Sequence, residues 1–153
     1  MFSRIKRIYR EYKELKYLAY HDTLTGLLNR NWLYKNIDKL KCKFVYFIDI
    51  NDLHEVNKAG HTFGDEYIIK CVKAIKTDKN DYLIRYAGDE FILFTNETEI
   101  FTNELFSVGK CEVKECLNKA INIADGRMLK SKSVWKTERG RKKQIRQLRT
   151  DFD

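Results

Sequence analysis

Three carboxylate side chains in two separate segments are the residues of this chain best suited to chemistry. Residues 82–94 form two apolar, aromatic-rich runs around a tight corner, which is typical of a β-hairpin with Asp89 and Glu90 side by side at its tip. A shorter apolar run, residues 43–48, fits a buried strand and ends at Asp49. Charged residues among β-forming runs cost stability unless something pairs with them. These acids therefore need a partner.

The position of Asp49 at a strand end indicates what that partner is. Ligands of sheet proteins commonly collect just beyond strand ends, and a strand beside the hairpin would bring Asp49, Asp89 and Glu90 to one spot. Clustered carboxylates repel one another unless divalent cations compensate, and Mg²⁺ prefers such oxygen ligands together with substrate phosphates. The pattern predicts metal-dependent phosphoryl or nucleotidyl transfer. The alternative is a solvated hairpin tip that binds nothing.

Three motifs follow one another within residues 22–91. They read Asp22-Thr-Leu-Thr-Gly-Leu-Leu-Asn-Arg30, then Asp49-Ile-Asn-Asp-Leu-His-Glu-Val-Asn57, then Arg85-Tyr-Ala-Gly-Asp-Glu-Phe91. The last resembles the Arg-Tyr-Gly-Gly-Asp-Glu-Phe signature of GGDEF domains, the diguanylate cyclases. The first is similar to that family's Asp-x-Leu-Thr-Gly-Leu-x-Asn-Arg turn, and the second to its metal and guanine segment. The resemblance continues more weakly to about residue 136.

This resemblance implies an active site that uses two Mg²⁺ (or Mn²⁺) ions. Asp49, the backbone carbonyl of Ile50, Asp89 and Glu90 would hold the ions, with Asp89 and Glu90 as the catalytic residues. Such ions lower the pKa of an attacking hydroxyl and neutralise charge on phosphates. Glu90 is also a candidate acceptor for the hydroxyl proton.

The resemblance also implies a guanine pocket lined by Asn57 and Asp65. A carboxylate can accept hydrogen bonds from the ring N1–H and the exocyclic amine of guanine together, and an Asn amide can serve O6 or N3. Adenine lacks that donor pair, so Asp65 would select against it. The alternative for both residues is helix capping.

Four further residues stand at positions where family members contact the substrate: His54, Gly88, Lys132 and Lys136. Gly88 would give the corner its backbone freedom and admit a ligand. Lys132 and Lys136 would hold the triphosphate, although lysine lacks the bidentate geometry of arginine; a solvated basic helix end is the alternative. His54 replaces a usual lysine, and a neutral imidazole neutralises phosphate charge poorly.

Two departures from the family pattern bear on activity and on packing. Ala87 replaces the first glycine of the signature, which is tolerable if the backbone there does not need a positive φ. The connection at residues 95–104 is shorter than in the family, so apolar surface on one face should be either exposed or covered by another element, for which the terminal helices and a partner subunit are candidates.

The expected fold is α/β (α+β): a GGDEF/palm-like domain with a central, mostly antiparallel sheet flanked by helices. Residues 1–20 should form an N-terminal helix, 21–136 the catalytic domain and 137–153 a basic tail that is a short helix or frayed. The implied reaction condenses two GTP molecules into cyclic di-GMP and pyrophosphate across a homodimer. The rival interpretations are an inactive GGDEF module that binds GTP or protein, and another palm-type nucleotidyltransferase.

Apolar periodicity predicts the helices and their buried faces. Asn29 should cap a helix over residues 31–40, a further helix should occupy part of 53–76, and residues 112–132 should be helical. Their expected core residues are Trp32, Leu33, Ile37, Leu40, Ile68, Cys71, Val72, Ile75, Leu117, Ile121, Ala124 and Met128.

The N-terminal helix carries an apolar seam with the spacing of a coiled coil. Its members are Met1, Ile5, Ile8, Tyr12, Leu15 and Ala19. The run is shorter than three heptads, so it either packs on its own domain or forms a weak parallel dimer.

Composition limits the class of protein. The 153 residues carry a net charge of +8, with +4 in residues 1–16, +7 in 127–153 and −3 between them. Nucleic-acid binding by the basic ends is less expected than simple solvation. No apolar run approaches a membrane span and no signal-peptide pattern opens the sequence. Four cysteines without metal spacing favour buried, reduced thiols and a cytoplasmic protein.

Overall fold

A single mixed sheet organises the protein in the computed structural model, which describes residues 2–100 and 104–150, with side chains over 4–100 and 104–142. Its strands are β1 (Leu28–Asn29), β2 (Phe44–Ile50), β3 (Tyr82–Arg85), β4 (Glu90–Thr95) and β5 (Phe106–Glu112). Their order across the sheet is β1-β3-β4-β2-β5, and every pairing except the parallel β1–β3 pair is antiparallel. The predicted hairpin, the predicted strand beside it and the mostly antiparallel sheet are thus confirmed.

Five α-helices accompany the sheet in the described residues: α1 (Phe2–Tyr20), α2 (Arg30–Asn36), α3 (Leu53–Asn57), α4 (His61–Ala74) and α5 (Leu117–Thr150). A 3₁₀ turn, Ile37–Lys39, follows α2. Asn29 caps α2 as predicted, because its side chain accepts a hydrogen bond from the Trp32 N–H at 3.1 Å.

Strict alternation along β2 assigns its side chains to two cores. Val45 and Phe47 face α2 and α5, whereas Tyr46, Ile48 and Ile50 face α4. The first core also contains Leu33, Ile84, Ile92, Phe94, Cys111, Ala120, Ile121, Ala124 and Met128, and the second Ile68, Cys71, Ile75, Phe91, Leu93 and Phe106. Seven of the twelve predicted core residues are therefore buried, and the other five, Trp32, Ile37, Leu40, Val72 and Leu117, are partly buried at the edges.

The last helix differs from the prediction at both ends. Residue 112 still belongs to β5, since Glu112 pairs with Phe44, and α5 begins only at Leu117. At the other end α5 continues to Thr150, so the expected tail from residue 137 is part of one 34-residue helix. The chain contains no proline, and the cost of about 1 kcal/mol for Gly140 is too small to end a helix of good helix formers.

The apolar seam of α1 does not pack on its own domain. Ile5, Ile8, Tyr12 and Leu15 are each more than half exposed; Met1 lies outside the described residues. The C-terminal end of α1 is hydrogen-bonded to the domain, where the Ala19 carbonyl accepts a hydrogen bond from the Asn29 side chain at 3.1 Å. Of the two alternatives, intramolecular packing is therefore wrong. No helix of the described residues is both long enough and apolar enough to cross a membrane.

The apolar face of the sheet beside the 95–104 connection is covered by residues of the domain itself. Ile100 and Leu105 pack against the core under α4, so neither terminal helix is needed there. Residues 101–103 of this connection lie outside the described residues. All four cysteines are free thiols, but Cys116 is exposed, contrary to the expectation that all were buried.

Candidate functional site

Two of the three predicted acidic residues, Asp49 and Glu90, lie opposite each other at one end of the sheet, and Asp89 is a neighbouring charge to both. Asp49 on β2 and Glu90 on β4 are direct partners in the antiparallel register, and the Ile50 N–H donates to the Asp89 carbonyl at 2.9 Å. Alternation places Asp49 on the same face as Val45 and Phe47, the face that α5 covers. The convergence inferred from the sequence is thus a consequence of strand register.

Burial makes this acidic cluster electrostatically unfavourable. Asp49 is 2% exposed, and its Oδ1 atom has no hydrogen-bond partner within the described residues. Burial and the neighbouring Asp89 charge raise the pKa of Asp49, against the opposing effect of Lys132. Burial and the charges of Asp89, Asp49 and Asp125 likewise raise the pKa of Glu90.

One lysine already neutralises part of this charge. The Lys132 Nζ atom donates to Asp49 Oδ2 at 2.6 Å, from the α5 face that continues the buried positions Ala124 and Met128. Lys132 was predicted to hold a triphosphate; here it contacts a proposed metal ligand. The buried face of α5 is therefore apolar at Ala124 and Met128 and basic at Lys132, where it reaches the acidic end of β2 at Asp49.

The donor chemistry of the cluster fits divalent cations, although a complete set of ligands is not preformed. Among the side chains described over 4–100 and 104–142, no three His, Cys, Asp or Glu groups gather closely enough to hold one ion. Asp49, Asp89 and Glu90 nevertheless offer oxygen donors of the kind Mg²⁺ prefers, and Asp49 Oδ1 is buried without a partner. An ion at Asp49 would have to share that carboxylate with Lys132 or displace it.

An open cleft of about 490 Å³ extends from the acidic cluster along α5. It is lined by five predicted site residues, Ile50, His54, Asp89, Lys132 and Lys136. Asn51, Asp52, Leu53, Glu55, Trp135, Arg139 and Gly140 complete the lining. The cleft thus has one acidic end and one basic wall, which suits a phosphate ester bound with a cation.

Two of these residues, Trp135 and Arg139, were missed by the sequence reasoning. The Arg139 guanidinium lies over the Trp135 ring at 5.1 Å and forms an ion pair with Asp52. A signal was present in the sequence: in the family pattern the residue before the Arg position is glycine, which favours the end of a helix. Position 135 is tryptophan here, and α5 continues through it.

The proposed guanine residues lie together but outside this cleft. Asn57 ends α3, and its Oδ1 atom lies so close to Gly64 that a methyl group on that glycine would be 1.8 Å away. Asp65 follows Gly64 on α4 and is exposed. The absence of a side chain at Gly64 therefore allows Asn57 to pack against the first turn of α4, which also carries Asp65.

Side-chain hydrogen bonds stabilise the corner at residues 87–90, and its backbone has no positive φ. The Arg85 guanidinium donates to the Gly88 carbonyl at 2.7 Å and to Asp22 Oδ1 at 2.9 Å, which ties the corner to the first motif. Gly88 does not have a positive φ, so the predicted need for backbone freedom there is wrong; a Cβ atom added to it would meet nothing within 4 Å. Ala87 has no positive φ either, which explains why alanine is tolerated.

A buried polar network fixes the end of β2 beside the cleft. The Asn51 side chain accepts from Ser107 Oγ at 2.7 Å and donates to the Glu104 carbonyl at 3.1 Å. The Tyr67 hydroxyl donates to the Asn51 carbonyl at 3.2 Å. With its amide satisfied in this way, Asn51 acts as an anchor for the strand end and not as a substrate contact.

Known proteins share this fold and these motifs. The family described as "Diguanylate cyclase, GGDEF domain" matches residues 19–115. The signaling protein YkoW of Bacillus subtilis is 26% identical over 137 residues, 82% of this chain and 17% of that protein. Diguanylate cyclase DgcM of Escherichia coli is 29% identical over 106 residues, 59% of this chain and 25% of that protein. The chain thus spans a quarter or less of the length of these relatives.

A solved structure supports the same fold. The coiled coil and GGDEF domain of DgcB from Caulobacter crescentus, in complex with c-di-GMP, superimposes with a TM-score of 0.68 at 18% identity and covers 86% of this chain and 90% of that one. Together with the match over residues 19–115, the converging acids and the hairpin corner, this places the chain in the GGDEF domain family, the diguanylate cyclases.

Proposed function

We propose that this protein is a diguanylate cyclase that condenses two GTP molecules into cyclic di-GMP and pyrophosphate. The observation that carries the proposal is the direct pairing of Asp49 with Glu90 opposite the basic face of α5. Each 3′-hydroxyl attacks the α-phosphorus of the other GTP, and pyrophosphate leaves. Because each subunit holds one GTP, two subunits must face each other.

The side chains of the site have two proposed roles, charge compensation and proton transfer. Asp49, the Ile50 carbonyl, Asp89 and Glu90 would hold two Mg²⁺ or Mn²⁺ ions, which when bound lower the pKa of the hydroxyl and neutralise phosphate charge. Lys132 and Lys136 line the cleft and stabilise the triphosphate. Glu90 lies beside the proposed ions and is the candidate acceptor for the hydroxyl proton.

Incubation of the purified protein with GTP and Mg²⁺ or Mn²⁺, followed by chromatography of the products, tests the proposal. Cyclic di-GMP and pyrophosphate are expected. A linear or hybrid dinucleotide would favour another palm-type nucleotidyltransferase, and GTP recovered unchanged and unbound would contradict the proposal altogether.

One observation favours a second candidate, a GGDEF module that binds GTP without turning it over. The Lys132 Nζ atom donates a hydrogen bond to the Asp49 carboxylate at 2.6 Å. It would therefore compete with a metal ion for this ligand. Tight binding of GTP that is recovered unchanged from the same assay would support this alternative.

Replacing Asp65 with serine is expected to relax nucleotide selectivity. Serine cannot accept hydrogen bonds from N1–H and the exocyclic amine together, so discrimination against ATP should fall about tenfold or more. Competition of ATP with labelled GTP measures this change. Glu66→Ser is the matched control, since Glu66 is an exposed acid on the same helix. Unchanged preference in Asp65→Ser would place the base pocket elsewhere.

The exposed seam of α1 predicts a homodimer through parallel pairing of this helix. Leu15, at 66% exposure, is more exposed than Ile5, Ile8 and Tyr12, and Leu15→Glu would place two carboxylates at one seam position. Dimerisation measured by sedimentation should weaken about tenfold or more. Turnover should fall at low protein concentration and recover at high concentration.

Arg10→Glu is the control for the dimer prediction, because residue 10 lies on the side of α1 away from the seam. It should leave association close to that of the parent. Equal association of the parent and Leu15→Glu would show that the subunits meet through another surface.

A further inference from the structure

The basic wall of the cleft extends further along α5 than the predicted site. Lys132, Lys136 and Arg139 stand at spacings of four and three residues, which places them on one helical face. This face continues the positions that bury Ala124 and Met128 against the sheet. As α5 leaves the core it therefore presents three cations to the cleft, together with the Trp135 ring.

Arg139 is held in place by two neighbours. Its guanidinium pairs with Asp52 and stacks on Trp135 at 5.1 Å. Asp52 is itself constrained: it has a φ of 66°, and it is the single non-glycine residue with positive φ in the described part of the chain. A guanidinium carries five N–H donors, so pairing with one carboxylate leaves donors for a second anion. Trp135 and Asp52 thus orient Arg139 without saturating it.

The opposite wall of the same cleft offers little positive charge. His54 lines it and is exposed, and residues 50–55 on this side of the cleft include no lysine or arginine. We propose that Arg139 binds the phosphates of the nucleotide and supplies the charge that His54 does not. This inference rests on the proposed function, because it takes the occupant of the cleft to be a guanine nucleotide.

Equilibrium binding of 3′-deoxy-GTP tests the inference without turnover, since this nucleotide lacks the attacking hydroxyl. Arg139→Ala should weaken its binding about 10- to 100-fold, the usual effect of losing a charged hydrogen bond to phosphate. Binding of guanosine, measured by competition, should change less than twofold. Adding His54→Lys to Arg139→Ala should restore most of the lost affinity, because it returns a cation to the same cleft.

Arg141→Ala is the matched control: Arg141 is an exposed arginine of α5 that does not line the cleft. It should bind 3′-deoxy-GTP as the parent does. Equal affinities of the parent and Arg139→Ala would overturn the inference and leave the proposed function standing. Equal losses for nucleotide and guanosine, or no recovery in the double variant, would also overturn it. A parent protein that does not bind 3′-deoxy-GTP at all would instead overturn the proposed function, and the inference with it.

Discussion

Replacing Glu90 with glutamine should abolish cyclic di-GMP synthesis, by at least about a thousandfold, and leave the fold intact. Glutamine keeps the size of the side chain but removes both the charge that would hold an ion and the basicity that would accept a proton. Chromatography of GTP reaction products measures the loss. Synthesis at the parental rate would remove Glu90 from the metal and base assignments.

The same substitution should not lower thermal stability, which separates a functional role from a structural one. The pKa of Glu90 in the folded protein is raised by burial and by the charges of Asp89 and Asp49. For such a group, stability is lost as pH rises through the folded pKa, so the ionised form is a cost at neutral pH. Without divalent ions the melting temperature of Glu90→Gln should therefore equal or exceed that of the parent.

Divalent ions should reverse this order of stability. Because an ion that binds only the folded state stabilises it, millimolar Mg²⁺ or Mn²⁺ should raise the melting temperature of the parent more than that of Glu90→Gln. Asp125→Asn is the control, since it removes a negative charge near Glu90 without removing a proposed ligand; it should keep measurable turnover and respond to the ions. Identical ion responses in parent and Glu90→Gln would contradict the metal assignment.

The sheet and its acidic cluster could be predicted because both depend on local pattern. Alternation identifies the strands, and once β2 pairs with β4 the register brings Asp49 opposite Glu90. The resemblance of three motifs to those of the family indicated which segments of the chain come together. Most core positions followed from periodicity for the same reason.

The basic wall could not be predicted in full, because it depends on contacts between distant segments. The ion pairs Lys132–Asp49 and Arg139–Asp52 span 83 and 87 positions, and no local pattern encodes either. The second pair forms because α5 does not end after residue 132. The sequence did contain one usable sign of this, Trp135 at a position where the family pattern has a helix-ending glycine.

Gly109→Ala should destabilise the protein by about 3 kcal/mol, the largest effect expected of any single methyl group in this fold. A Cβ atom at Gly109 would lie 1.9 Å from the Ala124 carbonyl oxygen and 2.3 Å from the Met128 nitrogen. Both are backbone atoms of α5, so no side chain can rotate away and the helix itself must lift from β5. Denaturant unfolding measures the loss, which corresponds to roughly 10 °C in melting temperature.

Gly126→Ala provides the matched control on the helix that Gly109 contacts. A Cβ atom there meets nothing within 4 Å, and alanine favours an exposed helical position by up to about 1 kcal/mol, so this variant should be more stable than the parent. The two glycine-to-alanine substitutions are thus expected to change stability in opposite directions. A general effect of losing glycine would change it in the same direction in both. Because lifting α5 also withdraws Lys132 from Asp49, Gly109→Ala should weaken 3′-deoxy-GTP binding even where it remains folded, whereas Gly126→Ala should not. A neutral Gly109→Ala would mean that α5 does not rest on β5 as described, and the basic wall of the cleft would lose its support.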